Sequence, residues 1–445
     1  MSKLSPGRSL AVKATAQVRE RDAHVENALD SVVRCAQGVG QKDKAFAELL
    51  ATGVVSTRGT LDEIIDRSMN SPSDIDATVR DALRISAYEF AFLDKQPHAV
   101  VDQGVELVRS VAPRASRLGN AVLHRMAVDM KKFPWGNPNT DDAALARKMG
   151  FPHWLARLLI DALGRKDAVV FMAACNQPAP LFLAVNAMRA EVDEVFELLK
   201  SRNGQPEIVG SAERGCIRCG NARATIATGV LKSGAAVVSD ASAQIVALMA
   251  TPAKGLPFLE VGSGRGTKTV MLQSNALKYN GEQAELHCVD LHQFKNGVLE
   301  KRIADCGLEN VHLHTGDATH LDRVEGLPPL FGKALVDAPC SGLGTLRRHP
   351  EIRWNMTREK IAGLARVQLA LLRSAATRIE PGGQLVYSTC TVAPRENEGV
   401  VEAFLASAEG AGFSVREQGG RRFVQNRLVP GGPDVHFCAV LVKEK

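Results

Sequence analysis

The chain of 445 residues contains no apolar run of membrane-spanning length, and no signal-peptide pattern is read at its start. Its nine cysteines are an odd number scattered along the chain. That excludes the dense disulfide framework of small secreted domains, and a reduced, cytoplasmic protein is the expectation. Neither sign of charge dominates: 55 Lys and Arg against 49 Asp and Glu leave +6, with a pI of about 8.8. This balance favours a polyanionic partner without requiring one. Apolar residues make up 45% and charged residues 23%, close to the globular average, so disorder is excluded as the general state. The length calls for two or three domains.

Strand-like alternation is almost absent between residues 8 and 132. "DKAFAELLATGVVS" and "TVRDALRISAYEFAFLD" space their apolar residues three and four apart, as an amphipathic helix requires. An all-helical domain is expected over residues 1–135. Acids are missing between Glu106 and Asp129, where Arg109, Arg114, Arg117, His124 and Arg125 stand, with Lys131 and Lys132 just beyond. Such a stripe suits phosphates, or equally a solvated helix face. Residues 136–232 read as a small α/β linking domain. Cys216 and Cys219 form a CxxC there, but two further zinc ligands are missing nearby, so no metal site is expected. From residue 233 to 445, "LPFLEV", "ELHCVD", "VHLHTGD", "KALVDAP" and "GQLVYSTC" alternate with helical stretches. That pattern predicts an α/β fold, a mostly parallel sheet covered by helices, with ligands at the carboxyl ends of the strands.

"LEVGSGRGTKT" has neither the glycine spacing of a dinucleotide fingerprint nor the glycine a P-loop needs, since Thr267 stands there. It fits best as a loop for S-adenosylmethionine, with Glu260 followed by Gly262, Ser263, Gly264, Arg265, Gly266, Thr267 and Lys268. Asp290 ends the next strand, where a carboxylate can accept ribose hydroxyls. Asp317 ends the third, where it can accept from an adenine amino group. Each acid alone is equally well read as a helix N-cap; together, at three successive strands, they favour the methyl donor.

In "VDAPCSGLGTLRRHPEIRW" an acid, Asp337, and a thiol, Cys340, end a strand, and Cys390 ends the next in "LVYSTCT". Carbon 5 of cytosine is too poor a nucleophile to take a methyl group unaided. A thiolate adding to C6 makes C5 enamine-like, and an acid on N3 helps. One thiol would attack while the other assists, and the chemistry leaves open which does which. Arg347, Arg348, His349, Arg353 and Trp354 follow as candidates for phosphate contacts and stacking.

"DAPCSGLGTLRRHPEIRW" and "PGGQLVYSTCTVAPRENEGVVEAFL" resemble the RNA cytosine-5 methyltransferases, and within them the Sun or Fmu type. "RDALRISAYEFAFLDKQPHAVVDQGVELV" and "RLGNAVLHRM" are similar to that type's N-terminal domain, which has the helical NusB fold. The resemblance implies a Rossmann-like methyltransferase domain with a seven-stranded sheet and S-adenosylmethionine as cofactor. It further implies Cys390 as the nucleophile, Cys340 assisting product release, and Asp337 touching both base and cofactor. Residues Gly262 to Lys268 with Asp290 and Asp317 would hold the cofactor. Arg117, Arg125, Arg347, Arg348 and Arg353 are expected on RNA. The family writes its cofactor loop as Cys-Ala-Ala-Pro-Gly-Gly-Lys where this chain has "GSGRGTK"; "AVN" (Ala184 to Asn186) replaces its Arg-Val-Asn, and "GGPDVHFCAVLV" its Asp-Gly-Phe-Phe. The expected partner is 16S rRNA, naked or in an early assembly intermediate, met by a monomer away from membranes. A tRNA substrate, a non-catalytic RNA-binding or antitermination module and a P-loop ATPase are the other readings.

Overall fold

The computed structural model describes residues 4–211 and 214–445. The first three residues of the expected helical domain, and residues 212 and 213 of the expected linking domain, lie outside the described residues. Packing divides the chain into two units. Met1–Pro178 joins with Leu346–Asn355, and Ala179–Thr345 with Met356–Lys445.

The first unit is helical: α1 (Pro6–Arg21), α2 (Val25–Cys35), α3 (Gln41–Arg67), α4 (Ala77–Ala91), α5 (Pro97–Val111), α6 (Ser116–Asp129), α7 (Asp142–Met149), α8 (His153–Leu163) and α9 (Arg165–Ala174). Local chemistry sets several ends. Pro6 and Pro97 open helices where no backbone donor is needed. The Asp76 carboxylate caps α4 by accepting from Thr78 N. Gly150, at φ 72°, closes α7 in the left-handed conformation. The 27-residue α3 is the axis, burying Leu50, Val54, Leu61, Ile64 and Ile65 at helical spacing among α1, α4, α5 and α6.

The second unit begins with a split β-α-β-β-α-β arrangement: β1 (Leu181–Val185), α10 (Val192–Ser201), β2 (Pro206–Ile208), β3 (Cys216–Cys219), α11 (Ala222–Ala227) and β4 (Ala236–Val238). The antiparallel order is β2-β3-β1-β4. Cys216 and Cys219 are buried strand residues with no metal cluster around them among the described residues. Then follow α12 (Ala241–Met249), β5 (Phe258–Val261), α13 (Thr267–Asn280), β6 (Leu286–Asp290), α14 (Gln293–Cys306), β7 (Val311–Thr315) and β8 (Phe331–Asp337). The single turn α15 (Ile352–Asn355) belongs to the first unit. The chain returns through α16 (Arg358–Ala376), β9 (Ile379–Thr389), α17 (Glu398–Leu405), β10 (Phe413–Val415), β11 (Val424–Gln425) and β12 (Phe437–Lys443).

The large sheet runs β10-β12-β9-β8-β5-β6-β7, with β11 beside β12. The five strands β5 to β9 pair in parallel, and β12 is antiparallel to its neighbours. Strand alternation feeds two cores. Leu259 and Val261 pack with Leu372 and Ala375 of α16 and Val401 and Phe404 of α17, whereas Phe258 packs with Val246 of α12 and Leu272 and Ala276 of α13. The order reverses between β5 and β8, the position at the carboxyl ends where ligands bind in open α/β sheets.

Two buried charges stand out. In the first unit Arg353 is wholly buried. Its guanidinium donates to Ser56 O at 3.1 Å, Gly150 O at 3.2 Å, Cys175 O at 3.1 Å and Asn176 Oδ1 at 2.9 Å. Gly150 and Cys175 cap the carboxyl ends of α7 and α9, so the cation meets orphan carbonyls at the negative ends of two helices. The Phe151 ring centroid lies 4.0 Å from the guanidinium carbon. Next to it, Trp354 Nε1 donates to Val55 O at 2.6 Å, and its ring lies where a Cβ on Gly59 would meet it at 2.6 Å. In the second unit Glu260 of β5 is wholly buried and accepts from Thr269 Oγ1 at 2.7 Å and Cys288 Sγ at 3.3 Å. Burial pushes its carboxyl up to about 7.

Arg353→Met should destabilise the first unit by about 3 kcal/mol, since it strands buried acceptors that a charge now satisfies. All three tryptophans, Trp135, Trp154 and Trp354, belong to this unit, so urea titration followed by tryptophan emission reads its unfolding separately. For Glu260 the folded-state pKa lies above the ordinary value of 4.5. The folded state therefore holds an extra proton, and the stability this gives is complete at low pH and fades as pH rises through about 7. Glu260→Gln should flatten the fall in melting temperature between about pH 5 and pH 8 in scanning calorimetry; an unchanged slope would assign the effect elsewhere.

Candidate active site

Strands β8 and β9 are neighbours in parallel register, with Asp337 opposite Ser388. Each chain then turns away within two or three residues, so the thiols that follow are carried to the same place. Cys340 Sγ and Cys390 Sγ are 3.1 Å apart, and Cys390 N donates to Cys340 Sγ at 3.2 Å. Both residues are partly accessible. Asp337 stands at the root of this pair. Its Oδ1 accepts from Ser388 Oγ at 2.8 Å, and its Oδ2 from Lys268 Nζ, in the first turn of α13, at 2.7 Å.

Charges in this cluster bias one another. Burial opposes the Lys268 charge, but attraction to Asp337 and the hydrogen bond to it win, and the ammonium is held above its ordinary range. Cys390 adds to the field that favours this cation. The Cys340 thiol is pushed well above its ordinary value, first by its hydrogen bond to Cys390 and then by burial. Cys340 therefore holds its proton.

A buried polar frame holds the two thiol loops together. Glu396, wholly buried, accepts from Ser341 N at 2.8 Å, from Ser341 Oγ, and from Gln368 Nε2 at 3.0 Å. Gln368 also donates to Pro339 O at 2.8 Å. Thr391 Oγ1 lies 2.7 Å from Ser341 Oγ. Tyr387 Oη donates to Glu396 O at 2.6 Å, and Asn397 Nδ2 to Thr391 O at 3.1 Å. Gly344 N closes the frame on Cys390 O at 2.9 Å. Glu396, Ser341, Gln368, Thr391, Tyr387 and Asn397 were not singled out in the sequence. Glu396 and Asn397 stand in "PRENEG", four residues past Cys390, where Arg395 and Glu398 beside them make the run read as an exposed polar turn.

The glycine loop lies at the switch point. Gly262, at φ 81°, approaches Asp337 so closely that a Cβ would meet its carbonyl oxygen at 2.5 Å. Gly264 N donates to Asp290 Oδ2 at 3.1 Å, and over Gly264 a Cβ would touch only Gly262 O, at 3.8 Å. Ser263 Oγ is buried without a partner among the described residues. An open cradle, an unused hydroxyl and the amino end of α13 suit a polar ligand, and the residues present fit S-adenosylmethionine. Arg265 is exposed beside them, and Thr267 Oγ1 accepts from Arg302 Nη1 at 2.6 Å.

Three expectations change. Glu260 lies behind the loop, wholly buried and hydrogen-bonded to α13 and β6, so it braces the cradle and is not presented to a ligand. Asp317 is exposed and caps the turn Ala318–Arg323, accepting from Thr319 N at 2.9 Å, the N-cap use that any strand-end acid can have. Arg353 is corrected from an RNA contact to a structural cation, because all its reach is spent inside the first unit. Arg347 is buried as well, and Arg348 half-buried. Arg117 and Arg125 are exposed on α6, eight residues apart and so on one face with His124. Asp290 is buried, with Lys295 Nζ 3.2 Å from its carboxylate.

Comparison with known proteins agrees with this geometry. The family model described as 16S rRNA methyltransferase RsmB/F matches residues 247–435, that of the NusB family residues 5–128, and a ferredoxin-like domain of RsmF/B-like methyltransferases residues 151–217. The probable ribosomal RNA small subunit methyltransferase B of Synechocystis sp. is 30% identical over 410 residues, which are 90% of this chain and 89% of that one. Ribosomal RNA small subunit methyltransferase B of Salmonella newport is 29% identical over the full length of both. In fold, the crystal structure of PH0851 matches all of both chains at a TM-score of 0.80 and 20% identity. That of NSun6 from Pyrococcus horikoshii with SFG matches 66% of this chain and 99% of its own at 0.57 and 19% identity. With relatives of one kind matching from end to end, and a helical domain and a methyltransferase sheet each recognised in its own right, the chain belongs to the RsmB/F family of 16S rRNA methyltransferases.

Proposed function

We propose that this enzyme transfers a methyl group from S-adenosylmethionine to carbon 5 of a cytidine in 16S rRNA, through a covalent bond between Cys390 and C6. The observation that carries this reading is the pair of thiols 3.1 Å apart at the ends of adjacent strands, with Asp337 and Lys268 at their base. The bound cofactor supplies an electrophilic methyl group. The glycine loop Gly262 to Lys268 and Asp290 would hold it, and Asp337 lies between this loop and the thiols.

A target cytidine turned out of a loop into the pocket meets the Cys390 sulfur at C6. The Cys390 sulfur attacks as a thiolate; a carbon–sulfur bond forms at C6, the C5–C6 double bond opens, and negative charge passes into the ring. Asp337 faces the base, and Lys268, 2.7 Å behind it, keeps its proton, so its positive charge offsets the negative charge that builds in the ring. C5, now enamine-like, accepts the methyl group. Once Cys390 is bonded to carbon, the hydrogen bond and charge that kept Cys340 protonated are gone. Cys340, partly accessible, can then release its proton to solvent; its thiolate takes the C5 proton, the C5–C6 double bond re-forms, and the C6–sulfur bond breaks to return a thiolate at Cys390. The exposed face of α6 with Arg117, His124 and Arg125 supports phosphate binding.

The roles of the two thiols differ in a measurable way. With 16S rRNA containing 5-fluorocytidine, the wild-type chain should form an adduct stable on a denaturing gel, and Cys390→Ala should form none. Cys340→Ala should still form the bond and retain it even on ordinary rRNA, because release is what it lacks. The reverse pattern would exchange the assignments. Digestion of rRNA methylated with labelled S-adenosylmethionine should place the label in 5-methylcytidine; label in another nucleoside would overturn the reading.

A further inference from the structure

Where α1 turns into α2, His24 meets the segment Leu346–Asn355 that completes the first unit. His24 Nδ1 is 2.5 Å from Glu351 Oε1, and His349 Nδ1 is 3.7 Å from the same oxygen. The two imidazole centroids are 4.5 Å apart, and one ligand atom from each of the three residues lies within 4.8 Å of the others.

This cluster is incomplete as a set of hydrogen bonds. Glu351 is only 5% exposed, yet its Oε2 has no partner among the described residues, and neither has the buried Nδ1 of His349. The His24–Glu351 bond uses one donor and one acceptor and leaves a carboxylate oxygen and an imidazole nitrogen desolvated beside it. Such groups cost free energy unless something fills the gap between them.

We infer that His24, His349 and Glu351 form a site for one divalent transition-metal ion, with zinc as the best match. Two imidazoles and one carboxylate are a donor set that favours zinc and its neighbours over calcium or magnesium. A tetrahedral zinc with bonds of about 2.0–2.2 Å places its ligand atoms about 3.3 Å from one another. The observed separations of 2.5 and 3.7 Å bracket that value, so the ion enters with small shifts of the imidazoles. The His24 side chain is 52% exposed, which gives the ion a way in and leaves a coordination position for water. The bound ion would tie the α1–α2 turn to the segment that carries Arg353. The sequence reading weighed a metal only at Cys216 and Cys219 and expected none; His24 lies 327 positions from Glu351, so no spacing in the sequence links them.

The second histidine cluster, Glu285 with His287 and His312, serves as the control. There His287 is already bonded on both sides, to His314 Nε2 at 3.1 Å and Glu285 Oε1 at 3.0 Å.

The test uses the full chain freed of metal by chelation and titrated with zinc by calorimetry, and with cobalt by visible absorption. One equivalent of zinc should bind, cobalt should give the intense bands of tetrahedral coordination, and zinc should raise the thermal midpoint read by tryptophan emission. His24→Ala and His349→Ala should each weaken zinc binding by at least about tenfold and abolish that rise, while His312→Ala changes neither. Glu351→Gln, which keeps the side-chain volume, should lose zinc in the same way if an alanine variant fails to fold. No binding by the wild-type chain, binding retained by both alanine variants, or binding lost with His312→Ala would each overturn the site.

Discussion

Two sulfur atoms can divide a reaction between them only if their loops are held at a fixed separation, and here that depends on one carboxylate. Glu396 is wholly buried, and among the described residues no cation stands against it. Its charge or proton is accommodated by Ser341, Gln368 and Thr391, which come from three different segments. Burial pushes the Glu396 carboxyl up while these donors pull it down. The frame is thus polar throughout, and polar networks of this kind specify one arrangement because a partly satisfied alternative is expensive. The apolar core beneath, from Val336 and Tyr387 to Phe404, sets where the strands end; the frame sets where the thiols point.

The same unit uses a second device at the switch point. Lys268 reaches from the first turn of α13 to Asp337 on β8, bridging the glycine loop and the catalytic strand with one ion pair. Glycine at position 262 is what permits that approach, since any side chain would collide with the Asp337 carbonyl. Cofactor cradle and thiol pair are therefore mechanically one object, and a change in either alters the spacing of both.

Much of this was legible in the sequence. Strand ends are marked by apolar runs that stop at an acid or a thiol, so the parallel strands β5 to β9 and the places of Asp290, Asp337, Cys340 and Cys390 at their carboxyl ends were readable from pattern; the order of the strands in the sheet was not. The helices up to residue 135 were equally plain from their spacing, but α7 to α9, read as part of the linking domain 136–232, pack with the helical unit, as does Leu346–Asn355. What escaped was everything decided by distant partners. Arg353 reads as an RNA contact because it lies in a loop rich in arginine. Its burial is set by carbonyls at Ser56, Gly150 and Cys175, none of which has any local signature. Glu260 reads as a ligand because families of this kind place an acid before the glycines, yet the pleat turns it toward Thr269 and Cys288. Glu396 sits in a short polar run that looks like an exposed turn. The antiparallel order of the linking sheet, too, depends on pairings that spacing does not encode.

The contribution of Leu346–Asn355 to the helical unit has a consequence for how the molecule is made. Arg353 bonds to Ser56 across 297 positions, and Trp354 to Val55 across 299. A ribosome that has finished α1 to α9 has supplied nearly all of this unit but not the residues that satisfy the carbonyls at its centre. Those arrive only after β5 to β8 have been translated. During that interval the nascent helical unit stays open at the groove Arg353 will fill, and its final closure coincides with the emergence of the strand that carries Asp337.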